Sequence, residues 1–179
     1  MSGRSRIRLS LVAASVVLAA LAAWASSMKT LVRIAPMTIP AGKREITFPI
    51  DVRGVRAELL TAAKSRQHDV TLELDVEAER PPGVFYEVYL GTPKGKRYNV
   101  GNVALFGAGV RSEAPGEFHP AHVQLFLSDA LALALRPAST STLSLTFAAK
   151  GAEGGPPAKP AAALTMQKGE IVVGPRQRE

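Results

Sequence analysis

Residues 81–107 read PPGVFYEVYLGTPKGKRYNVGNVALFG, and this stretch decides the fold. Its first apolar segment, Val84–Leu90, is rich in aromatic and β-branched residues, which favour a pleated strand. Gly91–Lys96 interrupts the pattern with glycine, proline and lysine, and Tyr98–Phe106 resumes it. Two strand-forming segments joined by a short turn predict a β-hairpin with a basic tip.

The preceding segment, His68–Glu79, carries the clearest strand pattern in the chain. Apolar and polar residues alternate along it, and successive side chains of a strand point to opposite faces of a sheet. We predict a buried face and a solvated face, formed respectively by Val70, Leu72, Leu74, Val76 and Ala78 and by Thr71, Glu73, Asp75, Glu77 and Glu79. The acidic face is typical of a solvated strand surface rather than of a cation site.

Five more segments are predicted to form strands: Thr30–Ala35, Arg44–Val52, Val123–Leu127, Thr142–Phe147 and Met166–Val173. Pro49 indicates that the second of these is an edge strand or contains a bulge. Ser128 and Asp129 precede the run ALALALR, and because alanine and leucine are strong helix formers we predict a short helix that ends before Pro137. The alternation of alanine and leucine would also permit a strand. Residues 53–67 fit a helix, a loop or an irregular strand.

This order of elements predicts an all-β fold, an antiparallel β-sandwich of about seven or eight strands with one short helix. An N-terminal hydrophobic helix is expected to precede it. The chain has 179 residues, 46% of them hydrophobic, which suits one domain with an appendage. It contains no cysteine, so disulfides and thiolate metal sites are excluded.

The N-terminal segment predicts a membrane location. Residues 1–8 are basic and are expected in the cytoplasm, and the uncharged residues 9–28 are nearly long enough to span a bilayer as a helix. This indicates a single-pass anchor in the cell membrane, with a domain at residues 29–174 outside the cytoplasm, in the periplasm, and a disordered tail at residues 175–179. The alternative is a signal peptide cleaved after Ala23-Trp24-Ala25, which makes the domain periplasmic or secreted.

The hairpin and two later segments resemble a known family. The matching hairpin residues are Gly83, Tyr86–Leu90, Val100–Val103 and Leu105–Gly107. His122–Leu135 and Thr142–Gly151 continue the pattern. Together they resemble the C-terminal β-sandwich domain that follows the copper-binding domain in bacterial tyrosinases and polyphenol oxidases, the type 3 copper proteins.

Two departures from the family pattern stand out within a resemblance that covers roughly residues 30–173. Gly91 replaces the usual asparagine, and Phe126, Leu127 and Ser128 stand where aspartate, valine and threonine are common. The copper-binding catalytic domain has no counterpart in this chain. A type 3 copper centre needs more imidazoles than the three histidines present, so we predict that the protein is not an enzyme and has no catalytic residues or cofactor.

The resemblance implies a role for this chain. In proteins with both domains the sandwich packs on the copper domain and can cover its active-site entrance with an aromatic side chain. We therefore expect a non-catalytic accessory protein that docks onto, shields or tethers a separately encoded type 3 copper oxidase at the membrane. The aromatic residues expected to bind this partner are Phe118, Tyr98, Phe106, Tyr86 and Tyr89. Core packing is the alternative for Tyr86, Tyr89 and Phe106.

Two other functions remain open from the sequence. His119 and His122 are weak candidates for metal ligands, as in a copper carrier, although metal sites generally need more ligands. A structural cell-envelope domain without any copper connection is the other. The basic spot at Lys94, Lys96 and Arg97 is too small to indicate nucleic-acid binding, and no motif indicates a small-molecule substrate.

Overall fold

Two antiparallel sheets form the protein, which a computed structural model describes for residues 28–105, 109–111, 118–151 and 158–176. The nine strands in these ranges are β1 (Lys29–Ile34), β2 (Met37–Ile39), β3 (Glu45–Asp51), β4 (His68–Glu77), β5 (Phe85–Gly91), β6 (Arg97–Ala104), β7 (Ala121–Phe126), β8 (Thr142–Lys150) and β9 (Leu164–Pro175). Two helices accompany them, α1 (Arg56–Lys64) and α2 (Ser128–Ala134).

Sheet A contains β1, β9, β4 and β7 in that order, with β2 also paired to β9, and sheet B contains β3, β8, β5 and β6. Every pair of named strands is antiparallel, which confirms the predicted β-sandwich. The described residues contain nine strands and two helices, compared with the expected seven or eight strands and one short helix. The sequence did not indicate the short strand β2, and residues 53–67, for which it left a helix, a loop or a strand open, contain helix α1.

The core lies between the sheets, and the alternation along β4 explains its position. Val70, Leu72, Leu74 and Val76 are fully buried, as predicted. The opposite face of β4 is less exposed than its sequence indicates, because Thr71 and Glu77 are also buried. Since β4 lies between β7 and β9, neighbouring strands cover both of its edges.

The predicted hairpin forms as β5 and β6 of sheet B. Val88 and Leu90 of β5 and Val103 of β6 are buried on the inner face. The pairing register shifts between Val88 and Tyr89, and Gly101 opposite the shift has φ of 136°. Such a backbone conformation favours glycine, so the sequence supplies the residue that this bulge requires.

Both helices pack against each other at one end of the sandwich, here called the helical end. Helix α1 connects β3 to β4, and α2 connects β7 to β8, as predicted for the segment after Ser128. The guanidinium of Arg56 joins the two connections, because its Nη2 donates to the carbonyl oxygens of Leu135 at 2.8 Å and Pro137 at 3.0 Å. The tip of the β5–β6 hairpin lies at this end too, since Gly91 pairs with Ser144 near the start of β8.

The opposite end, here called the loop end, is where β4 finishes and β7 begins. Val76 pairs with Ala121 there, and Ala78 forms an isolated bridge with Val110. At the helical end, His68 pairs with Pro175 and Thr71 pairs with Phe126. The chain therefore enters the sandwich at the helical end, since β1 begins beside the end of β9.

Residues 1–27 lie outside the described ranges, and with them most of the expected cytoplasmic segment and membrane anchor. Neither helix in the described part of the chain has the length and apolar character needed to cross a membrane. At the other terminus, β9 extends to Pro175, and the backbone N–H of Arg176 donates to the carbonyl oxygen of Gln67 at 2.8 Å. Residues 177–179 of the expected disordered tail also lie outside the described ranges.

Candidate functional site

Phe118 lies at the loop end and stacks on a charged side chain. The guanidinium carbon of Arg111 is 4.3 Å from the centre of the Phe118 ring, which is a close cation–π contact. The ring is half-buried, while Arg111 and the neighbouring His119 are exposed. Phe118 lies three residues before the start of β7, so a strand of sheet A helps to fix its position.

Arg111 is itself held by a carboxylate that the protein buries. Its Nη2 donates to both oxygens of Glu77, at 3.0 and 2.8 Å, and Glu77 is 9% exposed. The amide of Gln167 donates to Oε1 of the same carboxylate at 2.8 Å. Bonds between charged groups are stronger than neutral ones, so this arrangement orders Arg111 beneath the Phe118 ring. We call these four residues the Phe118 cluster.

A bulge in sheet A contributes to this cluster. Asp75 pairs with Lys168 and the next residue, Val76, pairs with Met166, so Gln167 is the extra residue in β9. The sequence singles out Phe118 but not Arg111, Glu77 or Gln167. Glu77 is separated from Arg111 by 34 positions and from Gln167 by 90, and no local motif reveals such contacts.

Tyr86, another residue expected to bind a partner, belongs to the core. It is 1% exposed, and its hydroxyl has no hydrogen-bond partner among the described residues. Burial raises the pKa of Tyr86 to about 12, because a phenolate loses its hydration inside the protein. The side chain packs in the core, the alternative that the sequence leaves open, and does not contribute to a surface for a partner.

Tyr89 lies on the outer face of sheet B, within a polar network. Its hydroxyl donates to Oε2 of Glu87 at 2.7 Å, and Nζ of Lys150 is 3.4 Å from the same oxygen. The hydrogen bond lowers the pKa of Glu87 and raises the pKa of Tyr89, because it stabilises the carboxylate and the protonated phenol. The guanidinium of Arg97 lies 5.5 Å from the Tyr89 ring centre and also bonds Glu45 on β3 at 2.8 Å.

The remaining two aromatic residues of the expected interface have separate positions. Tyr98 is half-buried against the edge of the core, and the ammonium of Lys96 lies 5.7 Å from its ring centre. Phe106 lies outside the described residues. The structure therefore gathers no single patch from Phe118, Tyr89 and Tyr98, because the first lies at the loop end and the other two lie on the β5–β6 hairpin.

The histidines considered as metal ligands have different surroundings. His119 is exposed, whereas Nδ1 of His122 is 2.8 Å from Oδ1 of Asp75 on the neighbouring strand β4. In the part of the chain that the structure describes, no three histidine or acidic side chains are arranged to hold a metal ion. The pair His122–Asp75 is a surface contact across two strands, of the kind that stabilises sheets modestly.

These features define an antiparallel β-sandwich that presents a cation-supported aromatic ring at its loop end. The sequence matches no protein-family model and no curated protein. Among solved structures, the fold is similar to latent aurone synthase, a polyphenol oxidase, from natural source, with a TM-score of 0.46, 10% identity and 78% of this chain covered. The recombinant form of that enzyme gives a TM-score of 0.45 at 10% identity and the same coverage.

The chain spans about a quarter of that enzyme's length, since the similarity covers 26% of it. A further similarity, with a TM-score of 0.29 and 12% identity, is to the Drosophila NLP core, whose structure was described for pentamer formation and histone binding. It covers 78% of this chain and 97% of that one.

Proposed function

We propose that this chain is a non-catalytic, membrane-anchored accessory protein that docks onto a separately encoded tyrosinase-like copper oxidase. The observation that supports the proposal most directly is the Phe118 cluster. It holds an aromatic ring at one end of the sandwich, on a guanidinium that a buried carboxylate fixes. Aromatic side chains held in this way are the usual centres of protein interfaces, because little conformational entropy is lost when a partner binds them.

The choice of partner rests on the sequence resemblance to the sandwich domain of tyrosinases and polyphenol oxidases. The matching residues include Tyr86–Leu90 and Val100–Val103, which form most of the β5–β6 hairpin. In that family the sandwich packs on the copper domain and can place an aromatic side chain at its entrance. In this chain Phe118 takes that role, and the copper oxidase is a separate protein.

Docking at the loop end is compatible with an anchor at the other end. The uncharged residues 9–28 lead into β1, which begins at the helical end of the sandwich. An anchor formed by residues 9–28 would join the sandwich at the end opposite Phe118, so a protein held at the membrane in this way projects Phe118 away from it. The accessory protein would tether the oxidase at the outer face of the membrane.

The test is affinity purification of the tagged full-length protein from its native membranes, with mass spectrometry and an assay of oxidase activity. We expect the wild type to recover a type 3 copper oxidase that lacks its own sandwich domain. Phe118→Ala should reduce that recovery about tenfold or more, as expected for a central interface residue. Phe126→Ala is the matched control, since it removes an exposed phenylalanine at the helical end.

Two results would overturn the proposal. If the wild type recovers only other envelope proteins, the chain is a structural envelope domain rather than an oxidase accessory. Equal recovery by wild type and Phe118→Ala would show that Phe118 does not contact the oxidase. Circular dichroism of both variants checks that neither substitution has unfolded the sandwich.

A further inference from the structure

The helical end carries the large apolar side chains that the described part of the chain leaves exposed. Phe126, the last residue of β7, is 61% exposed, and Leu133 on α2 is 40% exposed. Phe126 lies where the outer face of sheet A meets the helical end, beside Thr71 and Gln124, and the loop end has no comparable residue among those described. Exposed apolar groups collected at one end of a domain indicate a surface that another phase or molecule covers.

The helical end also contains several basic side chains that form no ion pair with a described residue. Five exposed basic residues there form no ion pair with any described residue: Lys64, Arg66, Lys94, Lys96 and Arg136. The nearby carboxylates are mostly engaged. Asp51 bonds Arg53 at 2.6 Å, Glu58 bonds Lys29 at 2.6 Å, and Asp69 lies 3.7 Å from Arg176.

Among the described residues, Asp129 is the remaining acid at this end, and it is exposed near the start of α2. It lines an open cleft of about 770 Å³ together with Lys64, Arg66, His68 and Phe126. Within the described residues, one carboxylate without an ion pair does not offset five basic side chains without one, so this part of the helical end has a positive electrostatic field. The basic residues come from three separate connections, which spreads the charge across the whole end rather than along one segment.

Met28 links this surface to the apolar N-terminal sequence. It lies beside Gly174 at the end of β9 and lines a small recess together with Phe126 and Thr71. The uncharged run of residues 9–27 precedes Met28 directly in the chain. Phe126 is therefore among the side chains nearest to the point where that run joins the sandwich.

We propose that the helical end docks against the surface of a lipid bilayer that contains anionic headgroups. Phe126 and Leu133 enter the interfacial layer, where an aromatic ring and an aliphatic side chain are both favourable. Lys64, Arg66 and the neighbouring basic residues contact the headgroups, because an anionic membrane surface attracts basic side chains that lie near it. The inference rests on the proposed function for the anchor and adds the orientation of the domain.

A bilayer fits this surface better than an acidic protein. The combination of scattered cations with a few exposed apolar side chains is typical of proteins that lie on a membrane. The position of Met28 also brings the end close to any bilayer that residues 9–27 enter. Docking at the helical end turns the loop end, with Phe118, away from the membrane.

Because the chain contains no cysteine, single cysteines can be labelled without background. We would place an environment-sensitive fluorophore at Phe126→Cys, at Leu133→Cys and, as the control at the loop end, at His119→Cys. Each full-length protein is reconstituted into vesicles of phosphatidylcholine with about one third phosphatidylglycerol. Nitroxide-labelled lipids then measure quenching at each position.

The expected result is quenching at positions 126 and 133 at least threefold stronger than at position 119. Replacing phosphatidylglycerol by phosphatidylcholine, or changing Lys64, Arg66, Lys94, Lys96 and Arg136 together to Gln, should reduce the quenching at both positions. Flotation of the vesicles tests the anchor separately from the orientation.

The outcomes separate this inference from the proposed function. If the protein does not float with the vesicles, it has no membrane anchor, which overturns both the anchoring in the proposed function and the docking of the helical end on a bilayer. If it floats but positions 126 and 119 are quenched equally, the anchor stands and the docked orientation is wrong. Protection of position 126 by a co-purified acidic protein, without quenching by lipid, would assign the helical end to a protein partner and overturn the inference.

Discussion

Tyr86 shows what a single buried hydroxyl does to stability. Its oxygen has no partner among the described residues, and an unpaired buried hydroxyl costs about 1–3 kcal/mol. Tyr86→Phe removes that oxygen and keeps the ring that fills the core. We expect the free energy of unfolding to rise by about 1 kcal/mol at neutral pH, measured by urea denaturation.

The pKa of Tyr86 adds a pH dependence to this prediction. Because the folded-state pKa is raised from 10.0 to about 12, the unfolded chain loses its phenolic proton first. The contribution of Tyr86 is fully present below pH 10 and is lost as the pH rises toward 12, by up to about 3 kcal/mol at 1.36 kcal/mol per unit. The Tyr86→Phe variant should lack this loss. If the free energy of unfolding of the two proteins changes in parallel with pH, the loss does not come from Tyr86.

At the scale of single elements, the β5–β6 hairpin depends on Gly101. Its φ of 136° is unfavourable for residues with a Cβ atom, and an added Cβ would lie 2.8 Å from Cδ2 of the buried Leu125. We expect Gly101→Ala to lower the free energy of unfolding by about 1–3 kcal/mol. Thermal and urea denaturation measure the change.

Gly54→Ala is the matched control for that substitution. Gly54 lies in a turn without positive φ, and an added Cβ there meets no atom within 4 Å. The free energy of unfolding of the Gly54→Ala variant should stay within about 0.5 kcal/mol of the wild-type value. If Gly101→Ala is as stable as Gly54→Ala, the bulge tolerates a side chain and the glycine has another role.

Most strands were predictable because each carries its own alternating pattern. β4 is the clearest example, since the residues assigned to its inner face are buried at 0–3% exposure. The burial of Glu77 was not predictable, because it results from Arg111 and Gln167, which come from distant parts of the chain. Helix α1 was ambiguous for a similar reason, since its buried face is held by contacts with α2 rather than by a strong pattern of its own.

For the whole molecule, the sandwich was predictable from the sequence, but the difference between the surfaces of its two ends was not. The order of apolar segments indicates two sheets, whereas the position of each surface depends on strand pairing. Phe118 and Phe126 are eight positions apart in the sequence, yet Phe118 precedes strand β7 and Phe126 is its last residue, so they lie at opposite ends of the sandwich. Five basic residues from separate connections likewise come together at the helical end only after folding, namely Lys64, Arg66, Lys94, Lys96 and Arg136.

Because the two proposed surfaces lie at opposite ends of the sandwich, we predict that they act independently. Substitutions more than about 7–10 Å apart with no shared contacts usually add in free energy within about 0.5 kcal/mol. We would measure oxidase retention on anionic vesicles for the wild type, Phe118→Ala, Phe126→Ala and the double variant. Phe118→Ala should release the oxidase, Phe126→Ala should leave it bound, and the double variant should equal Phe118→Ala. A coupling energy above about 1 kcal/mol would mean that the oxidase also contacts the helical end, which would remove the separation of a membrane side from a partner side.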